Sequence, residues 1–241
     1  MKDKRILYIS SELTPYLPET EVSKMAFEVP KEMHHQGAQI RMFMPRFGVI
    51  NERRHQLHEV IRLSGMNLII NDMDMPLIIK VASVPKERMQ VYFIDNEEYF
   101  RRKAVFTDED GNLFKDNDER AIFFAKGVVE TVKKLNWAPD IIHIHGWMAS
   151  LLPLYLREYY KNDPLFADSK IVTSAFNYQT SGVTDRSELV DKIKFDQIDD
   201  EKLEPFKNGG EDGFVRVAIE NSDAVIKGSE DLSEEISDLI S

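Results

Sequence analysis

Residues 137–160, WAPDIIHIHGWMASLLPLYLREYY, constrain the fold of this 241-residue chain more than any other stretch. Ile141, Ile142 and Ile144 make a short apolar run behind Pro139 and Asp140, which predicts a buried strand. Gly146 ends that strand with a tight turn. Leu151, Leu152, Tyr155, Leu156 and Tyr159 then recur at helical spacing, so a helix with an inward face is expected. A strand that feeds through a turn into a helix is the unit of a doubly wound α/β sheet. In such sheets ligands sit beyond the carboxyl ends of the strands. His143, His145 and Trp147 therefore fall where chemistry is expected.

The preceding residues fit the same plan. Residues 5–10, RILYIS, read as a first strand, and Pro15 and Pro18 break the next segment into a loop. Residues 22–36 read as a helix with Met25, Val29 and Met33 inward, interrupted at Pro30 and closed by Gly37. Residues 39–44 form a second strand. A βαβ opening implies parallel pairing. Residues 57–95 read differently: three strand-like runs are separated by SG, ND and PKER, which predicts a β-hairpin insertion at the sheet edge. Residues 117–136 predict a helix that Asp118 can cap. A strand over 170–176, a helix over 213–221, a strand over 223–226 and a short helix over 232–240 complete the pattern, while 180–210 resists assignment. One domain over 1–241, α/β with a mostly parallel central sheet, is the simplest division.

Composition narrows the function. The absence of cysteine excludes disulfides, thiolate metal sites and cysteine nucleophiles. No apolar run approaches the ~18 residues that would span a bilayer, and the start MKDKRILYIS is too short for a signal peptide, so a cytoplasmic protein without membrane contact is expected. Residues 185–241 hold 17 acidic and 7 basic side chains, against 25 and 24 in the rest. An acidic last quarter argues against a nucleic-acid partner; a solvated, solubilising face is its simplest reading.

The candidate residues have plain readings too. His143 and His145 share one strand face, but no third ligand for a metal is apparent, and no metal site or cofactor is expected. Trp147 and Tyr178 could offer rings for a sugar, whereas Tyr155 reads as core. The acidic segment 106–118 misses the calcium-loop spacing, and Gly209-Gly210 reads as a turn. Neither G-x-G-x-x-G nor a phosphate loop succeeds the first strand. There stands PYLPETEVSK, whose Glu19 and Glu21 would repel a diphosphate.

Five stretches in order, ILYISSELTPYL, VPKEMHHQGAQIRMFMPRFG, HIHGWMASLLPLYL, VTSAFNYQTSG and VAIENSDAVIKGSEDLSEEI, resemble the N-terminal domain of bacterial glycogen synthases and plant starch synthases. These are retaining glucosyltransferases of the GT-B fold that use ADP-glucose. The resemblance implies a Rossmann-like half of a GT-B enzyme in glucan biosynthesis, ending about where the linker to a second domain would begin. It also locates departures. The family's lysine-and-glycine donor loop aligns with Pro18, Glu19, Thr20 and Glu21. Gly146 stands in place of an acid between His145 and Trp147. Phe176 stands in place of a histidine before Asn177. Two glutamates ~6 Å from a diphosphate would each cost on the order of 1 kcal/mol or more at an effective dielectric of ~20. No catalytic residue is therefore assigned, and the isolated chain is expected to lack glucosyl transfer. The expected partner is an α-glucan or maltooligosaccharide, held by His145, Trp147, Asn177 and Tyr178. A split enzyme completed by a separate second GT-B domain, and a protein-binding module keeping only the fold, are the rival readings.

Overall fold

The structure is a computed structural model describing residues 1–177, 182–208 and 212–241. The first strand, β1 (Arg5–Ser10), runs through the centre of the sheet with five of its six residues buried, as its unbroken apolar sequence requires. Helix α1 (Glu21–His35) comes next, opened by a box in which Ser23 N donates to Thr20 Oγ1 at 3.0 Å and Thr20 N to Ser23 Oγ at 2.8 Å. The expected interruption at Pro30 is absent. The helix runs through it, because proline removes a single ladder bond and the face carrying Val22, Ala26 and Pro30 is buried. Strand β2 (Gln39–Pro45) returns parallel to β1.

After the short helix α2 (Glu52–His55) come β3 (His58–Glu59), β4 (Met66–Ile70), β5 (Met73–Ser83) and β6 (Gln90–Asp95). β4 and β5 form the expected hairpin, turning on Asn71 and Asp72, both at positive φ (44° and 65°). The boundary of the insertion needs correcting: β6 is an integral strand, parallel to β2, and only β3–β5 are antiparallel additions. Its sequence, QVYFID, is buried from Val91 to Asp95, as an interior strand must be. Helices α3 (Glu97–Phe100) and α4 (Asn117–Leu135) lead to β7 (Ile141–His145). Asp118 does not cap α4. Asp116 holds that position without a capping bond, its carboxylate accepting from Arg102 instead, and Asp118 is drawn into an ion pair with Lys192 at 2.6 Å.

A single 3-10 turn (Trp147–Ala149) precedes α5 (Leu152–Glu158), whose Tyr155 is fully buried. Tyr159, expected inward, lies beyond the helix end and is exposed. Then come β8 (Lys170–Ala175), α6 (Arg186–Phe195), α7 (Glu204–Asn208), α8 (Gly213–Glu220), β9 (Ala224–Lys227) and α9 (Glu234–Ile240). No helix of the described residues is long and apolar enough to cross a membrane.

The strand order is β3-β5-β6-β2-β1-β7-β8-β9, with β4 paired to β5 off this path. From β6 to β9 all pairings are parallel, so the fold is α/β with a mostly parallel sheet. The chain winds from β1 outward through β2 to β6, then restarts at β7 and winds the other way. The order therefore reverses between β1 and β7, and their carboxyl ends mark the crevice where a ligand belongs. Lys126 of α4 anchors this half from below, bonding Asp196 at 2.6 Å and the Ile69 carbonyl at 2.8 Å, while Tyr155 donates to the same aspartate.

Candidate functional site

Ser10 and Ser11 end β1 at the crevice, and His145 and Gly146 end β7 beside them. Ser11 N donates to the His145 carbonyl at 3.2 Å, and Ser11 Oγ accepts from Met148 N at 3.0 Å. This close approach needs glycine. Gly146 has φ 84° and ψ 151°, a region essentially reserved for glycine, and a Cβ there would stand 2.4 Å from Ser11 Oγ. The missing acid at this position is thus part of how the two strand ends are joined.

His143 and His145 point to the same face, as the alternation predicts, with ring centres 4.2 Å apart and Tyr8 packed against both. Both are buried. His143 Nε2 lies 2.8 Å from Ser174 Oγ, whereas neither ring nitrogen of His145 has a partner among the described residues. Burial lowers the His143 pKa to about 4. Burial, and then the neighbouring His143, hold His145 well below the ordinary imidazole value. Both rings are neutral at pH ~7. Among the described residues no group of three or more His, Cys, Asp or Glu is arranged to hold a metal ion.

Trp147 does not present an open ring face. Its indole is 4% exposed, packed edge-on against Phe106 and Phe214 and walled by Gly182, where a Cβ would lie 2.3 Å from the ring. The stacking role expected for it gives way to a core role, because the turn after Gly146 directs the indole into the core. Phe176 is also buried, against Gly228. Tyr178 lies outside the described residues, as do Gly209 and Gly210.

The polar rim of the crevice is made by other groups. Asn177 N donates to Ser229 Oγ at 3.3 Å, and the Asn177 amide donates to the Asp231 carbonyl at 3.1 Å. Ser229 Oγ in turn donates to Glu21 Oε2 at 2.5 Å. Thr20, while capping α1, donates through Oγ1 to Glu12 Oε2 at 2.5 Å. Pro18 contributes its carbonyl, which accepts from Ser23 Oγ at 3.1 Å, and Glu19 stands exposed. The positive end of α1, an anion site by its dipole and free N–H groups, is thereby surrounded by the chain's own carboxylates. The structure joins Glu21 and Asn177 through Ser229, ties Thr20 to Glu12, and buries His145 and Trp147 in the core. Ser229, Glu12 and Ser11 lie within the stretches that carry the resemblance, but the sequence alone gives them no role. Their signal is position alone, since each stands at or just beyond the end of a parallel strand.

Residues 5–240 match the family described as the starch synthase catalytic domain. The glycogen synthase of Chlorobium limicola is 38% identical over 180 residues, covering 74% of this chain and 37% of that protein. That of Chlorobaculum parvum is 32% identical over 237 residues, covering 98% and 48%. The chain thus spans about half the length of these relatives or less. The catalytic domain of starch synthase IV from Arabidopsis thaliana, in a structure bound to ADP and acarbose, superposes with a TM-score of 0.76 over 93% of this chain and 44% of that one. At 18% identity this likeness speaks for the fold alone.

Restoring an acid at the strand end, Gly146→Asp, is expected to destabilise the protein by about 3 kcal/mol or more through the backbone conformation and the Ser11 clash. Urea unfolding measures it, and an unchanged midpoint would contradict the glycine constraint. The two histidines predict acid sensitivity. Their folded pKa values lie below the unfolded value of ~6.5, so the unfolded chain takes up protons first. Their contribution is complete above pH ~6.5 and declines as pH falls below it, for His143 down to about 4. Unfolding midpoints at about pH 7.5 and about pH 5 should differ less in His145→Gln than in the unaltered protein; an equal difference would show that His145 does not titrate in this way.

Proposed function

The chain belongs to the starch synthase catalytic domain family, and from that premise we propose that it is the acceptor-facing half of a glycogen synthase-like glycosyltransferase, with no glucosyl transfer from ADP-glucose by itself. The observation that carries this reading is the bond from Ser229 to Glu21 at the first residue of α1. A donor diphosphate approaching this helix end would have to displace a carboxylate and meet Glu12 and Glu19 nearby. The exposed setting screens that repulsion only in part. Thr20 and Glu21 also carry Cβ atoms where glycines would let the backbone come close to phosphate oxygens.

A neighbour of the same fold that binds ADP and acarbose supports seeking both kinds of ligand here. Of the two, the crevice favours the sugar. With Trp147 buried, sugar contacts fall to the exposed Asn177, held by Asp231, and to the adjoining Tyr178. Few polar anchors among the described residues, and the burial of Trp147, imply millimolar affinity for maltooligosaccharides, about −4 kcal/mol. Donor contacts for transfer would come from another domain or chain.

Incubating the 241-residue chain with labelled ADP-glucose and glycogen tests the proposal. No label above a heat-killed control is expected to enter the polymer. Incorporation that depends on the folded chain would overturn it.

A further inference from the structure

Away from the crevice lies a cavity of about 600 Å³, beside Ile40 and Gln90 near the amino ends of β2 and β6. Its charged lining is of one sign. Arg54 and His55 close one side from α2, and Lys86 and Arg88 close the other from the turn between β5 and β6. Among the described residues no acid lines it, in a chain of net charge −11. The acids in the same segments are turned elsewhere: Glu87 meets His35 at 2.8 Å, and Glu52 meets Lys80 at 2.7 Å and Arg46 at 3.3 Å. Among the described residues Arg54, Lys86 and Arg88 have no ion-pair partner. Lys86 and Arg88 both sit at positive φ, 72° and 56°, a conformation that side-chain-bearing residues adopt only where the surroundings hold them.

Tyr16, from the loop after β1, lines this cavity, is 6% exposed and packs against His55 and Phe93. Its hydroxyl, enclosed and without accessible surface of its own, has no hydrogen-bond partner among the described residues and is not presented to the cavity. A buried hydroxyl left without a partner is costly and uncommon in a native protein. Burial raises its pKa to about 12, so it stays protonated. Three unpaired cations around one cavity match an anion with several acceptor oxygens. The space is several times that of a bare phosphate and falls within the range of small-molecule pockets. Uncharged Gln56, Ser83 and Gln90 in the lining suit hydroxyl groups on an organic remainder.

We propose that this cavity binds a phosphorylated small molecule of hexose-phosphate size, with Arg54, Lys86 and Arg88 on the phosphate and the aromatic wall of Tyr16 behind it. It is a site separate from the crevice, and it stands or falls independently of the α1 end. Cations on two segments joined through the ligand would tie α2 to the β5–β6 turn, so occupancy would stiffen this edge of the sheet.

Calorimetric titration of the full chain with glucose 6-phosphate, inorganic phosphate and glucose tests the site. The hexose phosphate is expected to bind saturably, at least about tenfold tighter than inorganic phosphate, and to weaken as salt rises. Glucose should not bind there. The triple variant Arg54→Gln, Lys86→Gln, Arg88→Gln, all exposed side chains, should weaken binding by about tenfold or more with an unchanged circular dichroism spectrum. Absence of saturable binding by either phosphate compound would overturn the proposal. So would affinity untouched by the triple variant, or cation-dependent binding of phosphatidylserine vesicles or single-stranded nucleic acid with none of the hexose phosphate.

Discussion

At Gly146 the backbone adopts a conformation closed to other residues, and this lets the end of β7 lie against Ser11 at the end of β1. The layout of the crevice depends on that contact. Trp147, the next residue, is carried inward between Phe106 and Phe214 instead of outward over the strand ends. With the indole gone from the surface, the rim is left to the ends of β8 and β9 and the start of α1. Those three meet through one serine, since Ser229 accepts from Asn177 and donates to Glu21. The helix end built to attract an anion thus carries a carboxylate of the same chain on its first residue, Glu21, tethered by a charge-assisted bond from Ser229.

Much of the fold was legible in the sequence because its signals are local. Parallel strands buried on both faces read as apolar runs, and β1, β2, β7 and β8 stand within a residue of where those runs place them. Asn71-Asp72 marked the hairpin by turn chemistry alone. The failures are non-local. β6 resembles its antiparallel neighbours in composition, and only its pairing with β2 makes it part of the parallel sheet. Pro30 carries a helix-breaking signal that burial of its face overrides. Asp118 has the chemistry of a cap but is claimed by Lys192, 74 positions away.

The site was legible in outline and not in its contacts. Topology placed the histidine pair and the α1 loop at the reversal of strand order. The direction of a side chain at a turn depends on one φ angle, and nothing in the letters around Trp147 distinguishes a ring turned inward from one turned outward. Ser229 had no role legible in its stretch of sequence, and that role comes from the meeting of β9 with α1 across 208 positions. The cation-lined cavity was invisible for the same reason. Arg54 and Arg88 are ordinary surface residues until β3, β5 and β6 bring their segments together.

The central claim is that the amino end of α1 is closed to a nucleotide diphosphate by the chain's own carboxylates. Titrating the folded protein with ADP and monitoring the backbone amide resonances of Glu21, Val22 and Ser23, the first turn of that helix, measures it directly. No saturable shift of these three is predicted up to millimolar ADP, about the limit set by a weak, repelled contact. Saturable shifts at all three, with a dissociation constant of about 100 µM or tighter, would contradict it.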